Sequence, residues 1–172
     1  MVFCILDAAR MGFNNIEVAK DLNPAHKSLY SGGLSVALAT VAPYLFACQE
    51  SEQFVRWLYD SGFGSSWGVF FYSQASTNEI YRHLRKYLLV QTEAGKELYF
   101  RFYDPRVLKV FLPTCNKAQL NEFFGPIKCF ALEDEDPKQA IVFSLKEGVL
   151  HSEVIPAEML LAVKSLPIES GG

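Results

Sequence analysis

Residues 67–84 read Trp67-Gly68-Val69-Phe70-Phe71-Tyr72-Ser73-Gln74-Ala75-Ser76-Thr77-Asn78-Glu79-Ile80-Tyr81-Arg82-His83-Leu84. Their reading decides the fold class. Trp67 to Tyr72 is apolar at nearly every position, the pattern of a central strand covered on both faces. Ser76-Thr77-Asn78-Glu79 then forms a capping box, in which the Ser76 oxygen and the Glu79 carboxylate each satisfy a free backbone N–H. The helix it opens turns Ile80, Leu84 and Tyr87 inward. A strand handed directly to a capped helix implies an α/β layer.

Upstream, Val2 to Leu6 is a continuous apolar run and reads as a strand buried on both faces. Asp7-Ala8-Ala9-Arg10 leaves it, and Ile16 to Leu22 forms a short helix ended by Asn23-Pro24. Ser28-Leu29-Tyr30 is a short extended piece running into Gly32-Gly33. Ala39 to Cys48 is strongly apolar, but Pro43 suits neither a helix interior nor a central strand, so an irregular or edge strand is expected. Glu52 to Ser61 places Phe54, Trp57 and Leu58 at helical spacing behind Ser51 as N-cap.

Downstream, Leu88-Leu89-Val90 and Glu97 to Tyr103 are expected as strands joined by a turn over Glu93 to Lys96. In the second, Leu98, Phe100 and Phe102 share one face while Tyr99, Arg101 and Tyr103 share the other. Asp104-Pro105 reads as an N-cap followed by a proline at the first helical position, with Leu108, Phe111 and Leu112 as that helix's apolar stripe. Asn116 and Gln119 cap a further helix that runs to Phe124 and stops at Gly125-Pro126. Ile127 to Leu132 is a strand. Ala140 to Leu145 and Val149 to Val154 form a hairpin around Lys146-Glu147-Gly148. Pro156 to Leu166 gives a last helix before the Gly171-Gly172 tail. Strands alternating with helices predict an α/β domain over residues 1–132, a mixed central sheet flanked by helices. The acidic Glu133 to Lys138 segment is expected to lead into a small C-terminal hairpin-plus-helix lobe, residues 133–172.

Half of the 172 residues are hydrophobic and 14% are aromatic. That load must fill an interior, or an interior and a partner-binding face. The net charge is -3 and no basic stripe appears, which argues against nucleic acid as a partner. Arg82, His83, Arg85 and Lys86 read as a solvated helix face. Met1 to Leu6 is too short for the apolar core of a signal peptide and is closed by Asp7 and Arg10. No run approaches the ~18 apolar residues that cross a bilayer. Cys4, Cys48, Cys115 and Cys129 lie far apart among apolar neighbours and read as buried hydrophobes in a reducing compartment. A cytoplasmic protein without membrane contact is expected.

Gly64-Ser65-Ser66-Trp67-Gly68 is a literal G-x-S-x-G, and Asp104 and His151 follow in hydrolase order. A nucleophilic serine, however, sits on a turn that follows a strand and opens a helix. Here the motif follows a helix and enters a strand, so small residues at a turn explain it. A serine hydrolase using Ser66 and His151 is the rival from another class, and a homo-oligomeric structural protein is a third. His26, His83 and His151 share no metal-ligand spacing. Neither a phosphate-binding glycine motif nor a calcium loop is present. No catalytic residue, cofactor or metal is expected.

Phe100-Arg101-Phe102-Tyr103-Asp104-Pro105-Arg106 concentrates hydrogen-bonding groups where a strand meets a helix. Two readings stay open: Asp104 caps the helix while an arginine pairs with a nearby carboxylate, or the cluster faces a partner.

Leu6-Asp7-Ala8-Ala9-Arg10, Ser28-Leu29-Tyr30, Ala42-Pro43-Tyr44-Leu45 and Trp67-Gly68 come in a distinctive order. His83-Leu84-Arg85, the F-R-F-Y-D-P-R string at 100–106 and Phe123-Phe124-Gly125-Pro126 follow. Across roughly residues 2 to 132 the chain resembles the type VI secretion effector adaptor family, the Tap or Tec chaperones, long catalogued as a domain of unknown function. The resemblance implies a non-catalytic adaptor that binds a cargo effector and the VgrG spike protein. Members often carry a longer C-terminal lobe, so the cargo-recognising part is expected to be reduced or differently built here. Arg101, Tyr103, Asp104, Arg106 and Tyr44 are the candidate partner-binding residues. Tyr30, Tyr44, Phe63 and Phe130 are the candidate aromatic anchors, since binding energy concentrates in such groups.

Overall fold

The computed structural model describes residues 1–30, 36–91 and 95–161. The expected Gly32-Gly33 loop, the first half of the Glu93 to Lys96 turn and the end of the last helix lie outside them.

The apolar run at the start is strand β1, Val2–Asp7, every residue of it buried. It lies inside the main sheet because β3, Pro43–Ala47, pairs on one side and β4, Gly68–Ser73, on the other. The short β2, His26–Ser28, covers the outer side of β3. Beyond β4 come β7, Ile127–Glu133, β8, Gln139–Lys146, and β9, Val149–Pro156. The seven strands run in the order β2-β3-β1-β4-β7-β8-β9. A separate two-stranded sheet holds β5, Leu89–Gln91, and β6, Glu97–Tyr99.

Helices cover both faces. On one pack α1, Ala8–Met11, α2, Phe13–Leu22, and α4, Glu52–Gly62, burying Met11, Ile16, Phe54 and Leu58 against Cys4, Leu6, Tyr44 and Phe46. On the other pack α5, Thr77–Arg85, α6, Pro105–Phe111, and α7, Lys117–Phe124, burying Ile80, Leu84, Leu108 and Phe123 against Phe3, Ile5, Phe71 and Phe130. Helix α3, Val36–Ala39, lies between β2 and β3 in the chain. The α/β class holds, and the capping boxes of α5 and α7 form as the sequence predicts.

Five expectations change. First, every strand pairing among the described residues is antiparallel, so the sheet is not mixed in direction. Second, β3 is interior, not an edge. Pro43 is tolerated because it takes the first position of the strand, where its missing N–H costs little and its carbonyl still accepts from Leu29 (2.8 Å). Third, residues 97–103 are not one alternating strand. The chain bends after Tyr99, which buries Phe102 and Tyr103 together. Fourth, the hairpin assigned to a small lobe pairs in register with β7, from Glu133 against Ala140 to Cys129 against Ser144. The acidic segment 134–138 is therefore a turn inside the sheet. Fifth, after β9 the chain makes a 3-10 turn, Ala157–Leu161, rather than opening an α-helix at Pro156.

Candidate partner-binding site

One end of the sheet, where β1 and β7 finish and β3 and β4 begin, holds three of the six buried polar residues among those described, Asp7, Ser66 and Asp104. Asp7 terminates β1 and caps α1, accepting from Ala9 N–H at 3.1 Å. Its other carboxylate oxygen accepts from the Arg101 guanidinium, 94 residues away. Asp7 is buried whereas the Arg101 side chain is 44% exposed. That bond is the chief reason the pKa of Arg101 is raised. Asp104 caps α6 through the Arg106 N–H (3.0 Å) and takes a two-pronged ion pair from Arg106 Nε (3.0 Å) and Nη2 (2.7 Å). Burial works against the Asp104 carboxylate, but the bonds from Arg106 prevail and its pKa lies below the ordinary value. Burial, then the Tyr30 hydroxyl beside it, pushes the Tyr103 phenol well up.

The predicted residues divide accordingly. Arg101, Tyr103, Asp104 and Arg106 lie together on the β1/α6 side of the sheet. Tyr44 packs in the core of the opposite face, its hydroxyl donating to Ala39 O (2.9 Å) and Lys20 Nζ standing 4.3 Å over its ring. The sheet separates it from the rest. Tyr103 and Asp104 are buried, so only the guanidinium heads of Arg101 and Arg106 reach solvent. Asp104 has the structural role of the two read from its sequence.

The G-x-S-x-G stretch is a helix-to-strand turn between α4 and β4, with Gly64 and Ser66 at positive φ. The Ser66 hydroxyl donates to Glu133 (2.8 Å), whose other oxygen accepts from Gly64 N–H (2.7 Å). His151 is in register with Ser144 and, through it, with Cys129, four residues along β7 from Glu133. It therefore sits roughly 13 Å further along the strands and two strands away. Ser66, Asp104 and His151 do not assemble. Among the described residues no group of His, Cys, Asp and Glu is placed to hold a metal ion. Burial raises the Cys4 thiol pKa and pushes that of Cys129 up to about 11, so neither is a ready nucleophile.

The proposed aromatic anchors are not exposed. Phe130 and Tyr44 are core, Phe63 stacks on Tyr59, and Tyr30 is half-buried. Five of the exposed apolar side chains lie instead on the β5–β6 hairpin and on α6: Leu89, Val90, Leu98, Tyr99 (65% exposed) and Val110 (69%). Beside it opens an apolar cavity of about 230 Å³ lined by Tyr87, Val90, Phe100, Phe111 and Phe123, with Gln119 and Glu122 at its polar margin. One signal in the sequence points there: Val110 falls off the Leu108/Phe111/Leu112 stripe of its own helix. Nothing local marks Asp7 as the partner of Arg101.

A family model described as a domain of unknown function, DUF4123, matches residues 2–122. The chain belongs to the DUF4123 family. This is the family known for type VI secretion effector chaperones and adaptors. The DUF4123 match runs from β1 into α7, so it contains the Asp7–Arg101 and Asp104–Arg106 pairs and the β5–β6 hairpin, while β7, β8 and β9 lie past its end. No curated protein and no solved structure matches the chain. Among the described residues no helix is long and apolar enough to cross a membrane.

Proposed function

We propose that this chain is a non-catalytic cytoplasmic adaptor that binds a type VI secretion effector and loads it onto the VgrG spike. Membership of the DUF4123 family carries the reading. Two features of the structure support it. Apolar side chains stand exposed around an open apolar cavity, as a surface for covering a client's own apolar segment requires. The polar groups at the sheet end are tied to one another, and Ser66 has a carboxylate partner but no imidazole.

The test is affinity capture of the tagged chain from its native host while the secretion system is expressed. Near-stoichiometric recovery of a toxin-like protein and a spike protein is expected. Val90→Asp and Val110→Asp together should lower cargo recovery at an unchanged melting temperature, since both side chains face solvent. Recovery of the chain without either partner would refute the adaptor. Labelling by a fluorophosphonate that Ser66→Ala abolishes would put the hydrolase in its place.

A further inference from the structure

The two edges of the main sheet are built differently. Strand β2 is three residues long and carries Lys27, the short and charged form that blunts an edge. Strand β9 is eight residues long, holds no lysine and meets a proline only at its last position. Its register with β8 is unbroken, and among the described residues no further strand pairs with it.

The phase of its backbone follows from the hairpin. Glu147 and Gly148, both at positive φ, form a two-residue turn closed by Lys146 and Val149. Val149, His151, Glu153 and Ile155 therefore bond to β8, and Ala157 continues the series with its N–H on Lys138 O (2.8 Å). Leu150, Ser152 and Val154 point their N–H and C=O groups outward, away from the sheet. We propose that two copies of this chain join through β9, antiparallel about a two-fold axis at Ser152, so that their sheets run on as one.

The side chains select that partner and that register. With Ser152 opposite the partner subunit's Ser152, every outward-pointing residue meets another, Leu150 against the partner subunit's Val154. His151 then faces the partner subunit's Glu153, at a non-hydrogen-bonded position where side chains approach most closely. Sliding by one step of the ladder in either direction sets histidine against histidine or glutamate against glutamate. Neither the His151 nor the Glu153 side chain has a hydrogen-bond or ion-pair partner among the described residues, and their neighbours on β8 are Ser144 and Val142. The exposed Val149 (56%) and Val154 (52%) are covered in the same register, against the partner subunit's Ile155 and Leu150.

Sedimentation of the full chain over the micromolar range tests this. A species of twice the 19.4 kDa chain mass is expected. His151→Glu sets carboxylates face to face at two symmetric sites and should weaken the dimer about tenfold. Mixing it with Glu153→Lys should restore association as a heterodimer, because both cross-strand pairs then carry opposite or compatible charge. Ser152→Cys should cross-link on oxidation, since directly opposed hydrogen-bonded residues fall within disulfide reach. Melting curves of each variant confirm that it folds. A wild-type monomer throughout overturns the proposal and leaves the edge to a strand of another protein. A dimer indifferent to His151→Glu, or one that mixing does not restore, overturns it equally.

Discussion

Asp104 and His83 show how polar residues are held inside this chain. Asp104 stands at the head of α6 with two kinds of bond from one neighbour, the Arg106 backbone N–H and its guanidinium. Replacing it with alanine should cost about 0.5–2 kcal/mol, the range for a lost N-cap. A urea titration checks this, and an unmoved midpoint would show that the cap contributes nothing. His83 is buried with Nε2 donating to Phe123 O at 2.8 Å. Burial lowers its pKa against that bond, so the folded imidazole is neutral. As pH falls, the unfolded chain, with an ordinary imidazole near 6.5, takes up the proton first. The stability held by neutral His83 is complete above 6.5 and is lost as pH drops through the lower folded value. Melting temperatures should decline over that window, and His83→Gln, which keeps a donor for Phe123 O, should flatten the decline. A slope that the substitution leaves intact would place the titration elsewhere.

Among the elements, β1 and β4 approach each other closely at Gly68. Gly68 pairs with Leu6, and a Cβ at that position would run into the Ile5 carbonyl oxygen of the neighbouring strand. Backbone cannot yield as a side-chain tip can, so Gly68→Ala should destabilise by about 1–3 kcal/mol, as overpacking does. Thermal unfolding reads it directly, and an unchanged melting temperature would mean the strands part freely. The helix starts were legible in the sequence because a cap is a short-range device. Ser76 with Glu79, Asn116 with Gln119 and Asp104 with Pro105 each act within a few positions. The bend after Tyr99 was not, because the alternation of residues 97–103 satisfies a strand as well as it satisfies a turn that buries two adjacent rings.

Across the whole molecule, what the sequence withheld is what depends on distant pairing. Pro43 looks like an edge signal until β2 is seen to close the sheet outside it. The residues from 139 to 156 look like an appendage until β8 is paired with β7. Arg101 and Asp7 were both visible, but only the fold brings them together. The aromatic anchors failed for a related reason: composition reports how many rings there are, not which face of the sheet each is given. The interior place of β1 also has a kinetic side. Its neighbours begin at residues 43 and 68 of 172, so during synthesis a strand apolar in all but its last residue waits for its first partner until about a quarter of the chain is made and for its second until about two fifths. Non-local pairing of this kind slows folding and leaves sticky intermediates in the meantime. A member of a family known for chaperones thus begins its own existence as a chain that needs shielding.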